Sequence, residues 1–329
     1  FLASRNYWTG VSVTIRWGII GASRIAANAF IPNLRLTPPN QIVAIGASSL
    51  AKAKAYAAEH NIAATFGSYN ELINSENIDA IYIAQPPVFH ADLALAAVAA
   101  GKAVLVEKPF ATTKAAVANF LANAPADHLA WEALVFAFHP QTQIAATFTT
   151  ELGAIKHIYS HFVYTAEKPD DFRKDPTLGG GALQDVGTYS LRAAQLIMNQ
   201  TPKLVKAEAV LNEYGANLEG NAFFEYPTGA TFHMHWSGKK VRDKSLVIEY
   251  ESGSVVYEEP FNPAVTDYVF VRQNGNTRKI PAGEKTTWQH ALEHIAQVLA
   301  GDIAPIHQIK DFSLLHADLL EQIDEVSRG

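Results

Sequence analysis

Two charged residues directly follow a short apolar run in the first third of the chain. The run Ala103-Val104-Leu105-Val106 leads straight into Glu107-Lys108-Pro109. A continuous apolar run of this length is typical of a strand buried on both faces of a parallel sheet. Ligands of open α/β sheets bind at the carboxyl ends of the strands, so we expect Glu107 and Lys108 at a binding site. An ordinary ion pair at a strand end is the alternative that this tripeptide leaves open.

A second group of candidate residues lies on a segment with helical character after three consecutive glycines. Gly179-Gly180-Gly181 precedes Asp185 and Tyr189, whose spacing of four places them on one helix face. We expect Arg192 on that same face. The glycines free the helix start for close approach to another group, and the mostly apolar helix indicates an interior surface. A solvated polar stripe is the alternative.

The elements that must position these groups begin at Thr14. An apolar run ends on Gly21, and an alanine-rich helical segment follows a short turn. This pattern predicts a strand, a tight turn and a helix whose unpaired N–H groups bind a pyrophosphate. Against G-x-G-x-x-G/A, Gly21 and Ala26 match, whereas a serine replaces the second glycine. An ordinary turn of another layered fold is the alternative. The predicted cofactor-binding residues of the turn are Gly21, Ala22, Ser23, Arg24 and Ile25.

The end of the second predicted strand, residues 41–47, bears on the choice of cofactor. At this place an acidic residue would bind the ribose 2′-OH of NAD and repel a 2′-phosphate. The chain instead has Ser48 and Ser49, with Lys52 and Lys54 shortly beyond. We assign both serines to cofactor binding and favour NADP over NAD, with Arg24 as a further cation. The alternative is that these cations are ordinary solvated side chains.

A third strand end adds further candidate residues. The buried run of residues 79–84 is followed at once by Gln85-Pro86-Pro87, and His90 lies just past this turn. Prolines directly after a strand turn the chain away at the carboxyl edge, where ligands bind. We therefore assign Gln85, Pro86, His90 and Glu107 to cofactor binding, together with Lys108.

The length and the pattern of the chain predict two domains. At 329 residues the chain exceeds the usual size of one core. Alternating apolar strands and helices predict a Rossmann domain over 14–138, with a parallel sheet and helices on both faces. From residue 154 onward the apolar residues alternate with period two, which predicts a large, open, mostly antiparallel sheet. Residues 139–329 then form an α+β substrate domain, and a C-terminal helix over 311–326 is expected to dock on the first domain. Residues 1–13 are predicted to be a leader or flexible arm.

Composition excludes several partners and sites. With 26 basic and 32 acidic residues, the formal charge is −6, and we find no basic cluster that could follow a nucleic-acid backbone. The absence of cysteine excludes disulfides and thiolate metal sites. We find no apolar run long enough for a membrane span and no secretory signal, so we expect a cytoplasmic protein. The broad alternating sheet favours self-association as a homodimer or a larger homo-oligomer.

These motifs together resemble the glucose-fructose oxidoreductase, inositol dehydrogenase and rhizopine-catabolism (Gfo/Idh/MocA) family. The resemblance rests on four motifs in order: the Gly21 turn, Gln85-Pro86-Pro87 with His90, Glu107-Lys108-Pro109, and Gly179 through Asp185 to Tyr189. It implies a nicotinamide cofactor over which Lys108 converges with the Asp185–Tyr189 helix. Tyr189, in a position where many members carry histidine, resembles the dihydrodiol dehydrogenase and NADP-dependent xylose dehydrogenase branch. Ser49, where NADP-using members often carry arginine, departs from the family pattern.

The residue types predict a mechanism for this site. Hydride transfer from a carbinol carbon to nicotinamide requires the hydroxyl proton to leave, so a base must lie within hydrogen-bond reach. Tyr189 can serve, and we expect the Lys108 ammonium to lower its pKa. Asp185 and Glu107 would fix Lys108 and the substrate hydroxyls. The sequence leaves open whether Tyr189 or Lys108 carries the proton. The predicted catalytic residues are Lys108, Tyr189 and Asp185.

The predicted reaction interconverts a hydroxyl and a carbonyl carbon of a sugar, polyol or dihydrodiol. Two alternatives remain: a non-catalytic sensor of NADP(H) redox state, and a reductase of a non-sugar substrate. Three histidine pairs could suggest a metal site, namely His157/His161, His233/His235 and His290/His294. No third ligand lies near any pair in the sequence, so no metal site is predicted.

Overall fold

The computed structural model describes residues 14–165 and 171–328, which form two β-sheets and the helices that pack on them. The predicted leader, residues 1–13, lies outside the described residues.

The first sheet consists of six parallel strands in the order β3-β2-β1-β4-β5-β6. This order reverses between β1 and β4, and the carboxyl ends of strands at such a reversal point form the binding crevice of a doubly wound sheet. The prediction of a parallel Rossmann sheet is confirmed. The strands are β1 (Ile15–Ile20), β2 (Asn40–Gly46), β3 (Ala64–Phe66), β4 (Ala80–Ile83), β5 (Ala103–Val106) and β6 (Ala130–Glu132).

Helices cover both faces of this sheet, because two separate apolar cores lie on its two sides. The first helix after β1 opens with a wide π-type turn, Ala26–Phe30, and continues as α1. The serine and threonine hydroxyls at Ser49 and Thr113 cap the starts of α2 and α5. These helices are α1 (Ile31–Arg35), α2 (Leu50–His60), α3 (Tyr69–Ile73), α4 (His90–Ala99) and α5 (Lys114–Asn123).

The second sheet has eight strands in the order β14-β13-β12-β11-β7-β10-β9-β8. Its neighbours are antiparallel except β7 and β10, which run parallel. The prediction of a large, mostly antiparallel sheet is therefore confirmed. The strands are β7 (Ile155–Thr165), β8 (Lys203–Leu211), β9 (Asn217–Glu225), β10 (Thr231–Ser237), β11 (Lys239–Tyr250), β12 (Gly253–Tyr257), β13 (Tyr268–Gln273) and β14 (Asn276–Pro281).

The remaining helices connect the two sheets. They are α6 (Pro140–Gln143), α7 (Thr149–Leu152), α8 (Thr188–Met198), α9 (Thr287–Ala300) and α10 (Asp311–Arg328). Helix α9 packs on the first sheet, where Leu292 and Ile295 join its core. Helix α10 contacts β8 and also α5, where the Lys114 ammonium lies 3.0 Å from the Asp318 carboxylate. Across the part of the chain that is described, no helix combines the length and apolar character that a membrane span requires.

Two boundaries differ from the sequence expectation. The apolar run over 128–135 predicts a sixth strand, but β6 is only Ala130–Glu132, and Val135–Phe138 forms a buried 3₁₀ turn. The sequence over 139–152 predicts one crossover helix closed by Gly153, but the segment is broken into α6, a 3₁₀ segment and α7. Apolar character in this region reports burial between the two sheets and does not report strand geometry.

Candidate active site

The turn after β1 has the geometry that a bound pyrophosphate requires. Gly21 has φ +105°, and a Cβ there would lie 2.2 Å from the Gln85 side-chain nitrogen, so only glycine fits. The Ser23 hydroxyl accepts a hydrogen bond from the Ala26 N–H at 3.2 Å and so caps the helix start. Ala22, Arg24 and Ile25 are exposed on this turn. The turn therefore presents free backbone N–H groups at the carboxyl edge of the sheet, which fits a dinucleotide.

Arg24 pairs with an acidic residue of the second domain, and its role as a cation for a 2′-phosphate stays a prediction. Its guanidinium is 3.3 Å from the Asp171 carboxylate, which belongs to the segment after β7. At the end of β2, Ser48 is exposed and its hydroxyl accepts a hydrogen bond from the Lys52 ammonium at 3.3 Å. The Ser49 hydroxyl accepts from the Lys52 backbone N–H. A serine hydroxyl and a lysine ammonium, with no carboxylate between β2 and α2, make this position compatible with a 2′-phosphate.

His90 is fully buried, and its two ring nitrogens contact two strand ends. Nδ1 lies 2.8 Å from the Pro109 carbonyl and Nε2 lies 2.6 Å from the Gln85 carbonyl. Two carbonyl partners favour a doubly protonated ring, whereas burial lowers the pKa of His90 to about 4. Because burial disfavours the charged form, the His90 ring is neutral, and its single N–H donates to one of the two carbonyls at a time. His90 thus joins the exits of β4 and β5, and its direct contact with a cofactor stays a prediction.

Glu107 makes a different contact from the one expected. Its carboxylate accepts a hydrogen bond from the fully buried Tyr82 hydroxyl at 2.5 Å, and its second oxygen accepts from the Lys108 backbone N–H at 3.3 Å. The expectation that Glu107 holds the Lys108 side chain is therefore wrong. Burial raises the pKa of Glu107, although the nearby Lys108 charge opposes this shift.

Lys108 and Asp185, 77 positions apart in sequence, meet in the cleft between the two sheets. The Lys108 ammonium lies 2.6 Å from Asp185 Oδ1 and also donates to the Asp185 backbone carbonyl. Both side chains are largely buried, with 10% and 13% of their surface exposed. Burial alone would raise the pKa of Asp185, but Lys108 and Arg173 hold it well below its usual range. The carboxylate therefore stays ionised and holds the lysine in place.

Arg173 is the partner that the sequence analysis did not assign. Its Nε lies 2.7 Å from Asp185 Oδ2, so both carboxylate oxygens of Asp185 are occupied. Its NH1 lies 3.1 Å from the carboxylate of Asp171. Asp185 consequently has no free oxygen with which to take a substrate proton, and its role is to hold charge. The only sequence signal was the position of Arg173 shortly before the three glycines.

The close approach of this segment to the helix start explains the glycines. A Cβ on Gly180 would lie 2.3 Å from the Phe172 carbonyl oxygen and 2.7 Å from the carbonyl carbon of Arg173. Arg173 can therefore reach Asp185 only because Gly180 has no side chain.

Tyr189 lies beside Lys108 in an aromatic pocket. Its ring centroid is 5.9 Å from that of Phe136, 5.4 Å from Phe162 and 5.3 Å from Phe261. The Lys108 ammonium lies 5.2 Å from the centre of the Tyr189 ring. Within the described part of the chain the Tyr189 hydroxyl has no hydrogen-bond partner. This phenol is thus held by its ring and keeps its hydroxyl available for a ligand.

The expected direction of the Tyr189 pKa shift is wrong. Burial, followed by the negative charges of Glu107 and Asp185, raises the pKa of Tyr189, and only Arg173 and Arg242 oppose the shift. The Lys108 ammonium, which is paired with Asp185 at 2.6 Å, is not among the main causes of this shift. In the free protein at neutral pH, Tyr189 is a neutral phenol that can donate a proton.

Arg192 does not share the cleft with Asp185 and Tyr189. Its guanidinium lies 2.6 Å from the buried Glu132 carboxylate and over the ring of Phe312. Tyr189 and Arg192 both lie in the regular helix α8, where a spacing of three residues turns their side chains about 60° apart, and Arg192 reaches β6 through Glu132.

Three histidines of the predicted pairs contact protein groups of other kinds. His161 lies 2.9 Å from Asp243, His157 contacts the Thr231 hydroxyl, and His233 contacts the Asn221 side chain. Residues 14–165 and 171–328 contain no group of three or more potential ligands arranged to hold a metal ion.

The geometry as a whole fits a nicotinamide dinucleotide cofactor. The Gly21 turn would hold the pyrophosphate, and Lys108 with Tyr189 would face the reacting end at the carboxyl edge of β5. The site contains a proton donor, a fixed ammonium and the Arg173 guanidinium, and the chain has no cysteine. Such a set can move a proton to or from an oxygen whose carbon gives or takes a hydride.

Comparison with known proteins gives the same fold and family over most of the chain. Residues 15–130 match the profile of the Gfo/Idh/MocA oxidoreductase family, NAD-binding Rossmann fold, and residues 148–256 match that of the Gfo/Idh/MocA C-terminal domain. The D-xylose 1-dehydrogenase (NADP(+)) 2 of Haloferax volcanii is 31% identical over 251 residues, which cover 75% of this chain and 76% of that protein.

Two further relatives are a dehydrogenase and a ketoreductase. The trans-1,2-dihydrobenzene-1,2-diol dehydrogenase of Xenopus laevis is 34% identical over 220 residues, covering 64% of this chain and 65% of that protein. A 3-ketoreductase from Actinomadura kijaniata, solved in complex with NADP and TDP-benzene, has a TM-score of 0.87 at 25% identity and covers 95% of this chain and 98% of its own.

Proposed function

This chain belongs to the Gfo/Idh/MocA oxidoreductase family, and we propose that it is an NADP-dependent dehydrogenase or reductase of a sugar, polyol or dihydrodiol. The observation that carries the proposal is the Tyr189 hydroxyl, which lacks a hydrogen-bond partner in the described part of the chain and lies beside the Lys108–Asp185 pair. The activities of the relatives support the substrate class, since their names include a xylose dehydrogenase and a dihydrodiol dehydrogenase.

The residues of this chain would act as follows. A bound nicotinamide supplies or accepts the hydride. In the direction of carbonyl reduction, the Tyr189 hydroxyl donates its proton to the oxygen of the carbon that receives the hydride, and the raised pKa of the phenol keeps that proton available. Lys108, held by Asp185, places its ammonium close enough to stabilise negative charge on the same oxygen. In the oxidative direction Tyr189 takes the proton back.

A substrate panel tests the proposal. The protein is mixed with sugars, polyols and dihydrodiols and either oxidised cofactor, and the absorbance of the reduced nicotinamide is followed. We expect turnover with at least one member of the panel. If cofactor binds but no compound of any class is oxidised, and no matching ketone or imine is reduced, the sensor function replaces the proposal. Turnover of imines alone would instead identify a reductase of a non-sugar substrate.

The preference for NADP is proposed from the end of β2. Ser48 and Lys52 lie together there, and no carboxylate occupies the position that recognises an unmodified ribose. Titration with NADPH and NADH, followed by fluorescence, should show tighter binding of NADPH. Lys52→Ala should reduce this preference, whereas Lys54→Ala, on the same helix, serves as the control. Tighter NADH binding by the wild-type protein would contradict the assignment.

A homodimer formed through the open face of the second sheet is also proposed. A row of half-buried side chains crosses this face: Phe223, His233, Tyr159, Val247, Val256 and Phe270. Within it the rings of Phe223 and His233 stack at 4.2 Å. A contiguous apolar row on a sheet face is typical of a protein interface. Light scattering should give the mass of a dimer, and Val247→Glu should convert it to a monomer. A monomeric wild-type protein would contradict this assignment. The cytoplasmic location of the protein stays a separate prediction.

A further inference from the structure

Five alternating charges connect the cofactor turn with the reacting lysine. Arg24 contacts Asp171, Arg173 contacts both Asp171 and Asp185, and Asp185 contacts Lys108. The chain of contacts crosses from the first sheet to the segment after β7 and back. Its central member, Arg173, pairs with Asp171 and Asp185. Its charge lowers the pKa of Tyr189 at a distance, but any effect on the position of Lys108 must pass through Asp185.

The geometry at Asp185 gives Arg173 a specific task. A carboxylate with one lysine partner can rotate about its last bond and offer either oxygen. Arg173 Nε occupies Oδ2 at 2.7 Å, which leaves Oδ1 for the Lys108 ammonium at 2.6 Å and fixes the plane of the carboxylate. The planar guanidinium suits this task better than a flexible ammonium would, because its donors have a fixed geometry.

Asp171 fixes Arg173 from the other side. Its carboxylate lies 3.1 Å from Arg173 NH1, and it also accepts from the Arg173 backbone N–H at 3.1 Å, so it holds both the side chain and its turn. The ring of Phe172 lies 4.7 Å from the guanidinium and covers one of its faces. The side chain of Asp171 is only 9% exposed, which limits competition from water.

We propose that Arg173, fixed by Asp171, is a positioning residue for the reaction: it sets the orientation of Asp185 and thereby the place of the Lys108 ammonium beside Tyr189. The inference rests on the proposed function, since it assigns a role within that site. A purely structural Arg173 would stabilise the loop before the glycines and leave the rate of the chemical step unchanged.

The test compares Arg173→Ala, Arg173→Lys and Asp171→Asn with the wild-type protein. Displacement of a reacting group by about 1 Å can cost about 10²-fold in rate, so Arg173→Ala should lower kcat by about that factor. The Kd for NADPH should change little, because Arg173 has no contact with the Gly21 turn. Arg173→Lys and Asp171→Asn should give smaller losses in the same direction. Added guanidinium, below denaturing concentration, should restore part of the kcat of Arg173→Ala but none of that of Lys108→Ala.

Arg16→Ala is the matched control. Arg16 makes a comparable two-point contact with Asp79, at 2.9 Å and 2.8 Å, but at the amino-terminal end of β1, away from the site. Its loss should leave kcat unchanged. An Arg173→Ala protein with normal kcat, or one whose loss of kcat guanidinium does not restore, would overturn the proposal.

A crystal structure of Arg173→Ala separates this proposal from the proposed function. If the wild-type protein turns over no substrate, the proposed function fails, but the position of Lys108 can still be measured. We expect the ammonium to leave Asp185 Oδ1 in the variant. An unchanged Lys108–Asp185 contact would overturn the positioning role, whatever the substrate.

Discussion

One helical segment, residues 183–198, carries two buried charged clusters that differ in whether a functional group is left open. The front cluster holds Asp185 and Tyr189 against Lys108 and Arg173. The rear cluster holds Thr188, Arg192 and Gln195 against Glu132 and His316: Arg192 contacts Glu132 at 2.6 Å, and the two His316 nitrogens contact Thr188 and Gln195 at 2.8 Å and 2.7 Å.

In the rear cluster every acidic oxygen and both imidazole nitrogens have protein partners. Glu132 receives the Phe110 N–H on one oxygen and Arg192 on the other. The groups without partners there are two buried donors, Arg192 Nε and Gln195 Nε2. In the front cluster the charged groups are equally well paired, but the half-buried Tyr189 hydroxyl is not. The two unpaired donors of the rear cluster are fully buried, whereas Tyr189 is only half-buried. We therefore infer that the rear cluster joins β6, α8 and α10, and that the front cluster completes its hydrogen bonds with a ligand.

The largest effect should follow from removing the open group or its neighbour. Tyr189→Phe and Lys108→Ala should each lower turnover by about 10²- to 10⁴-fold, the range typical of general acid/base groups. Tyr189→Phe should leave the midpoint of thermal unfolding almost unchanged, because the hydroxyl has no partner in the described protein to lose. NADPH binding, followed by fluorescence, is the control that the site has stayed intact. Near-normal turnover in both variants would show that the open phenol is not functional.

Breaking the rear cluster should act on stability and spare the chemistry. Arg192→Leu leaves the Glu132 carboxylate buried without its partner, and loss of one member of a buried pair costs about 3–5 kcal/mol. Urea unfolding should show a loss of this order, with kcat per folded molecule close to that of the wild type. The double variant Arg192→Leu/Glu132→Leu should recover part of the lost stability, because the uncompensated charge is removed. A large loss of kcat in folded Arg192→Leu would remove the distinction between the clusters.

The sequence predicted the fold correctly where the local residue types determine the backbone geometry. Gly21 marks the turn after β1, and the apolar run before Glu107 marks a strand buried on both faces. The period-two alternation predicted most strands of the second sheet. The sequence analysis missed strand β14, because nearly all its residues are exposed at a sheet edge and show no apolar alternation. The strand predicted at β6 was too long for the opposite reason, since Ala133–Phe138 is apolar and buried but not extended.

The site was less accessible, because its chemistry depends on contacts between distant segments. The sequence analysis brought Lys108, Asp185 and Tyr189 together through the family resemblance, and the structure brings them together. It could not show that Tyr189 is buried beside the negative charges of Glu107 and Asp185, and so it gave the wrong sign for the Tyr189 pKa shift. The sequence analysis missed the contributions of Arg173 and Tyr82, because nothing in their local sequence indicates a buried carboxylate partner.

The smallest expected effect concerns the rear cluster in acid. His316 is buried, and burial together with the Arg192 charge lowers its pKa well below 6.5. When the pH falls below about 6.5, the ordinary pKa of histidine, His316 binds a proton in the unfolded chain but stays neutral in the folded protein. Stability is therefore full above that pH and falls as the pH decreases, by up to about 1.4 kcal/mol per pH unit for this residue. His90, His139 and His307, with pKa values lowered to about 4, add to the slope.

Replacing His316 with glutamine measures its share of that slope. The side chain of glutamine can still contact Thr188 or Gln195, but it cannot bind a proton. The free energy of unfolding, measured in urea at several pH values below about 6.5, should fall less steeply with decreasing pH in His316→Gln, by up to one proton. His157→Gln, at an exposed contact with Thr231, is the control and should leave the slope nearly unchanged. Equal slopes for the wild-type protein and His316→Gln would mean that His316 binds its proton in the folded protein too. The rear cluster would then tolerate a new charge, and its exclusion of water and protons would no longer distinguish it from the front cluster.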